Sequence, residues 1–448
     1  MKLVVCVPTY NNPAYIREIL DGEFSLYSQL DYCLYIADSS EDNYTEEIVS
    51  AYQKKNDNLF YVKFPAYIHA NEKVYRMLEK VDEDVCCDYA WIRSDSLRAS
   101  EELLYSLKYF LSKKYDAIVV NPYEGWKRGI CEEKQLNSLF EEYACVCALF
   151  GAVIVRKESI IKGTDWKILS ERYLTVNRRN FSHVCFLFER LLDIEKAGQD
   201  AKVLLMNLTS KYFWGTPMKK QSSWHREIFE IWLEYWPEAL NSLPEYYKNK
   251  EVAIQNWGKR MGRYSTSSLL KLKKEGILDK GVYEFYQDKI KQYGGVSYKL
   301  FENVLNSNLD EEQLKWNEGE MESLCDFCAH YDKIAIYGCG IKAKRYFEFL
   351  QKKKIKVDCF YVSDNKINNN ASEFMGVAVK GFGTYVGDEH TGLILALNEE
   401  NTEEVYPEVL ERGLKEATYG IPADIDDRFE LYREMQNIAS NEKEAIFL

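Results

Sequence analysis

Three short polar runs in this chain each follow an apolar run that reads as a buried strand. The first is Val7-Pro8-Thr9-Tyr10-Asn11-Asn12, the second Ala37-Asp38-Ser39-Ser40, the third Trp91-Ile92-Arg93-Ser94-Asp95-Ser96. In an open parallel sheet, the turns at the carboxyl ends of the strands are where ligand groups gather. Side by side, these runs would line one crevice with hydroxyls, amides, two carboxylates and an arginine. A nucleotide needs such a set: a carboxylate or amide for base or ribose, and cations or a carboxylate-held metal for the diphosphate. Each acid also has a plainer use. Asp38 can close an Asx-turn, and Asp95 can cap the helix that Ser100-Glu101 opens.

A second constellation lies far along the chain. Gly338-Cys-Gly340-Ile-Lys-Ala343 sits between an apolar strand at 333–337 and a helix at 344–351. Asp364 closes the next strand, at 356–362, where a dinucleotide fingerprint expects an acid. Spare backbone there would let a phosphate approach a helix N-terminus. The Asn-rich run 365–370 replaces the tight acidic turn and speaks against NAD. Three readings stay open: a nucleotide or nucleotide-sugar site, an oligomerisation module, or a fold remnant. The cysteines suggest metal less than packing. Cys86-Cys87 and Cys325-Asp-Phe-Cys328, with His330 close by, lack the second spaced pair of a structural zinc site. At helical spacing, Cys325 and Cys328 suit a core.

The elements that must position these groups divide 448 residues into three regions. Residues 1–210 alternate strands (2–7, 32–37, 60–64, 89–92, 117–120, 151–155) with helices (13–20, 44–54, 71–79, 100–111), an α/β pattern with nearly continuous apolar strands. Residues 211–330 are helical and aromatic-rich, with 16 Lys and Arg against 10 Asp and Glu over 211–300. That balance suits an anionic or membrane-bound partner, or simply an aromatic core under a solvated lysine face. Residues 331–448 return to α/β and end in an acidic tail. The net charge of −13 speaks against nucleic-acid binding, which needs clustered cations. No apolar run reaches the roughly 18–20 residues of a membrane span. The opening Met-Lys-Leu-Val-Val-Cys has no signal-peptide layout, so a cytoplasmic protein with reduced thiols is expected.

At Pro8-Thr9-Tyr10-Asn11, Asp38 and Arg93-Ser94-Asp95 the first 210 residues resemble the family 2 glycosyltransferases of GT-A fold. The resemblance implies that Pro8, Thr9, Tyr10, Asn11 and Asp38 belong to a donor site, with Thr9, Tyr10 and Asp38 holding the nucleobase and ribose, usually of a UDP-sugar. It places Lys73 at a base or diphosphate contact and Arg93-Ser94-Asp95 where the family has its metal-binding Asp-x-Asp. The first acid of that motif is missing, which leaves Asp95 as the carboxylate for Mg²⁺ or Mn²⁺ and implies a weaker metal requirement, with Arg93 able to face the diphosphate. An inverting transfer needs a base. The family puts an Asp at the start of a late helix, where this chain has His183. Asp165, Glu171 and Glu189 are the alternatives. Trp224 and His225 are candidates for the acceptor side, Trp224 equally for a packing anchor. The 331–448 region resembles the Rossmann-like domains appended to surface-polysaccharide enzymes. The expected partners are a nucleotide-sugar and a glycan or lipid-linked acceptor, with peripheral contact at the inner face of the membrane and homo-oligomerisation as further expectations. An NAD-dependent sugar-modifying enzyme and a non-catalytic assembly protein are the rival readings.

Overall fold

Seven consecutive residues, Leu3–Thr9, are all buried and form β1. The computed structural model describes residues 1–123, 125–209, 211–216, 223–307, 318–369, 372–385, 390–421 and 425–447. They divide into two compact units, Met1–Leu309 with Glu434–Leu448, and Asp310–Arg433. In the first unit β1 pairs in parallel with β2 (Cys33–Asp38) and β4 (Tyr89–Ile92), and β2 with β3 (Leu59–Lys63). Beyond β4 the sheet turns mixed. With β6 (Ala117–Asn121), β7 (Gly129–Glu133), β8 (Val153–Arg156) and β9 (Val203–Asn207), its order is β3-β2-β1-β4-β8-β6-β9-β7. A two-stranded ribbon, β5 (Leu97–Ala99) with β10 (Phe213–Gly215), stands apart.

Among the helices between the strands, Phe24–Leu30 is an additional one, and Pro13–Gly22, Tyr44–Gln53, Ala70–Asp84 and Glu101–Leu111 lie close to their expected positions. Ser100 caps the last of these: its hydroxyl accepts from Leu103 N–H at 3.1 Å. The apolar stretch 143–155 is not one element. It is the end of the helix Leu136–Cys147, a turn through Gly151 at φ +127°, and β8. Gly151 is required there, since a Cβ would come within 2.5 Å of the Phe213 ring. The short strands β5, β7 and β10 and the buried β9 lie outside the expected set.

The aromatics of the middle region form a core. Trp232, Trp236 and Trp257 are buried, and Trp232 stacks on Trp257. The helical segments that carry them, Ile231–Tyr235, Trp236–Asn241 and Lys250–Lys259, belong to the first unit. So does the end of the helix Ile425–Phe447, whose Lys443 reaches Glu101 at 2.6 Å. Among the described residues no helix is long and apolar enough to cross a membrane.

In the second unit, β11 (Lys333–Tyr337) pairs in parallel with β12 (Cys359–Val362) on one side and β15 (Thr391–Leu395) on the other. With β13 (Glu373–Phe374), β14 (Val377–Gly381) and β16 (Thr418–Tyr419), the order is β13-β14-β12-β11-β15-β16, parallel except at β13. Cys328 packs into this unit's core with Ile334 and Phe360, with Cys325 beside it.

Candidate active site

The crevice begins with how β1 ends. Pro8 has no N–H, and it lies beyond Cys6↔Ile92, the last pair of the β1–β4 ladder. Thr9 faces Asp38 across the β1–β2 ladder and is 2% exposed. The chain then turns through Asn11 at φ +52°, a conformation asparagine tolerates. Asn11 fastens this turn to the next one: its N–H donates to Ser40 Oγ at 2.8 Å and its Oδ1 accepts from Glu41 N–H at 3.0 Å. Tyr10 projects outward, 45% exposed, its hydroxyl donating to Glu41 at 2.9 Å.

Asp38 is fully buried and accepts four hydrogen bonds. Ser40 gives N–H at 2.7 Å and Oγ–H at 2.5 Å to one oxygen; Tyr61 and Lys63 each donate at 2.9 Å to the other. Burial alone would push its carboxyl up. The bonds from Ser40, Lys63 and Tyr61 outweigh that and hold it below the usual carboxylate value. The Asx-turn is therefore real, and it fixes the charged form of the acid.

Asp95 ties the third turn to the first. Its Oδ2 accepts from Thr9 Oγ1 at 2.8 Å and from Asn12 Nδ2 at 3.0 Å, while among the described residues Oδ1 has only a 3.5 Å contact from Ser94 Oγ. It does not cap the helix Glu101–Leu111, which Ser100 caps. Burial raises its pKa, against the pull of Thr9 and Asn12. Lys73, from the first turn of Ala70–Asp84, is buried within electrostatic reach of both acids. Its ammonium donates to Thr9 O at 2.5 Å and Ser39 Oγ at 2.7 Å, leaving a third N–H. Burial lowers its pKa to about 8, although Asp38 and Asp95 pull the other way. Lys63, Arg93 and Arg98 each have a carboxylate partner, Asp38, Glu23 and Glu18; Lys73 rests on neutral oxygens. A buried cation so placed favours an anion arriving from the crevice.

Residues 4–124 match the family described as glycosyl transferase family 2. With that region the protein is a glycosyltransferase. No curated protein matches the sequence. Three solved structures illustrate the structural likeness. S. aureus TarS 1-349 in complex with UDP-GlcNAc is 15% identical, with 68% of this chain and 87% of that one covered at a TM-score of 0.43. The mannosyltransferase PcManGT of Pyrobaculum calidifontis, in complex with GDP-Man and Mn²⁺, is 14% identical over 67% and 85%, at 0.36. Glucosyl-3-phosphoglycerate synthase of Mycobacterium tuberculosis in complex with UDP is 14% identical over 55% and 81%, at 0.34.

Several expected contributors lie elsewhere. Arg93 does not face the crevice: it is fully buried, ion-paired to Glu23 at 2.5 Å and set over the Trp91 ring. His183 is a poor base. Its Nδ1 meets Asn71 Oδ1 at 2.6 Å, its Nε2 meets Ala148 O at 3.2 Å, and Phe150 packs edge-on against the ring. Burial lowers its pKa to about 4. Glu189 is engaged by Arg172 and Tyr173, and Asp165 caps the helix Trp166–Tyr173. Glu171 is exposed in that same helix. His225 pairs with Glu275 at 2.7 Å, and the side chain of Trp224 lies outside the described residues.

Sequence reasoning missed Arg98, Glu18 and Thr216. Arg98 donates to Asp95 O at 2.7 Å, Leu97 O at 2.8 Å and Tyr15 O at 3.1 Å, and pairs with Glu18 at 2.8 Å. Glu18 also accepts from Thr216 Oγ1 at 2.7 Å. The only signal was Arg98 three residues after Asp95, in a strand too short to show a period.

Among the described residues, the carboxylate oxygen this crevice leaves for a divalent ion is Asp95 Oδ1. Mg²⁺ or Mn²⁺ fits on one carboxylate when diphosphate oxygens and water complete the shell. Among the described residues no group of three or more His, Cys, Asp or Glu could hold a metal by itself.

In the second unit, Gly338 takes φ +110° with Ala396 O 3.1 Å from where a Cβ would stand, and Gly340 opens the helix Ile341–Lys352. Ala343, in the first turn of that helix, is buried in the unit's core. Asp364 is exposed and packs against a glycine turn of its own unit. It accepts from Gly383 N–H at 3.0 Å, and a Cβ on Gly381 or Gly383 would come within 2.3 Å of its carboxylate.

Proposed function

We propose that the first unit is a GT-A-type domain that transfers a sugar, with inversion, from a UDP-sugar to a hydroxyl of a cell-surface or lipid-linked glycan at the cytoplasmic face of the membrane. The observation that carries the donor reading is the gathering of Thr9, Asp38, Asp95 and Lys73 at the ends of three adjacent parallel strands. In this reading Asp38 and its partners fix the nucleoside side. The third N–H of Lys73 meets the diphosphate, and Asp95 Oδ1 holds a divalent ion carried in with it. Such an ion would neutralise charge on the leaving diphosphate. The residues of this chain bind and orient the donor, with Thr9 and Asn12 keeping Asp95 aimed. The base is a group other than His183. The second unit serves as a Rossmann-like module outside the chemistry.

A thermal-shift screen against UDP-, GDP-, CMP- and dTDP-sugars, with and without Mn²⁺, tests this. UDP-sugars raise Tm most, and a metal-free rise persists at reduced size. No shift with any donor contradicts the reading.

A further inference from the structure

The loop after Asp95 continues into β5, and β5 is paired antiparallel with β10, as Phe213↔Ala99, Trp214↔Arg98 and Gly215↔Leu97. Trp214 therefore stands across from the arginine whose guanidinium holds the Asp95 carbonyl. In an antiparallel ribbon, paired residues share a face. Arg98 uses that face to reach Glu18 and Asp95 O, so Trp214 lies on the side of the ribbon that borders the donor loop.

The strand is held firmly. Phe213 is 2% exposed and packs on Trp91 at 5.7 Å. Thr216 is 3% exposed; its N–H donates to Ser96 O at 2.8 Å and its hydroxyl to Glu18 at 2.7 Å. Between these anchors Trp214 is 37% exposed. Among the described residues its ring stacks on no other aromatic and carries no cation, whereas Trp232 and Trp257 stack face to face in the core. Gly215 beside it has no side chain to cover the ring.

A large aromatic left open on a strand that borders a reacting centre gains little for stability. It offers a flat face whose negative quadrupole attracts the C–H-rich face of a pyranose. We infer that Trp214 is the stacking platform for a sugar ring of the acceptor, placed beside the donor loop by the Arg98–Glu18–Thr216 clamp. This rests on the glycosyltransferase reading above and adds the subsite at which its acceptor binds. Donor and acceptor are then brought together by one rigid ribbon, which supplies orientation without a moving part.

The probe is a set of methyl β-pyranosides of glucose, galactose, mannose and N-acetylglucosamine, followed by saturation-transfer NMR on the full chain with UDP present. At least one pyranoside shows ring-proton saturation with the wild type. Trp214→Ala weakens its binding tenfold or more, Trp214→Phe restores most of it, and UDP affinity stays within twofold in both. Tyr67→Ala, a change at a residue 91% exposed, leaves pyranoside binding unaltered. Equal pyranoside binding in Trp214→Ala, or no pyranoside binding to a wild type that binds UDP, overturns the proposal alone. A wild type that binds neither UDP nor any pyranoside overturns the donor reading together with it.

Discussion

The two units use the same local grammar, a buried parallel strand, a polar turn and a helix, and reach opposite ends. In the first, the turns after β1, β2 and β4 are knitted to one another by side chains, and the knitting leaves groups available: Asp95 Oδ1, the third N–H of Lys73 and the outward ring of Tyr10. In the second, the turn after β11 has the glycines a phosphate would want, but the acid of the next strand is wedged against Gly381 and Gly383. A strand–turn–helix motif makes a place for a ligand. What makes a site is polar groups that the fold itself has not fully engaged.

The sharpest way to break this comparison is at Asp95. Asp95→Asn keeps an acceptor for Thr9 but removes the charge aimed at the donor, and kcat falls on the order of 10²–10³-fold with the far-UV spectrum unchanged. Retained turnover would put the chemistry elsewhere. Lys73→Met comes next, with UDP affinity falling roughly tenfold, the scale of one lost charge-assisted hydrogen bond. The sign of its pH dependence follows from its depressed pKa. Below about 8 the group is an ammonium and grips phosphate; as pH rises through that value it becomes an amine and binding weakens. A bound diphosphate moves the midpoint upward. Lys73→Arg, checked by calorimetry from pH 7 to 10, flattens the limb.

Asp38→Asn acts more on stability than on catalysis. It leaves Lys63 and Tyr61 without their shared acceptor and costs about 1–3 kcal/mol, read from urea unfolding. The carboxyl is held below its ordinary value, so the stability it gives is present above that range and lost as acid titrates it. His183→Gln is milder for function. With a pKa near 4 the imidazole is already neutral at working pH, so the pH–rate profile keeps its shape while Tm drops. The smallest effect is Asp364→Asn in the second unit. It loosens the turn at Gly383, and transfer by the first unit is unchanged in a steady-state assay.

Much of the crevice proposed for the donor was legible because its parts are local. Continuous apolar runs fixed β1, β2 and β4, and the polar residues directly after them could only lie at one edge of the sheet. Asp38 and Asp95 followed from that alone. Arg93 misled because one position at the end of a strand decides which face a side chain takes, and Glu23, 70 residues away in sequence, decided it. His183 misled for a related reason: its place at a helix start was right, but its surroundings, Asn71 on one side and Ala148 with Phe150 on the other, come from two segments distant in sequence. Arg98 and Trp214 were hidden because the β5–β10 ribbon joins residues more than 100 positions apart through strands of three residues. Length and period, the signals that sequence offers, are absent in pieces so short.

Isothermal titration of UDP into the full chain and two variants tests the central claim most directly. The account predicts that Lys73→Met loses UDP affinity roughly tenfold, the loss given above, while Gly340→Val binds as the wild type does. Intact binding in Lys73→Met together with loss in Gly340→Val would move the nucleotide to the second unit and contradict it.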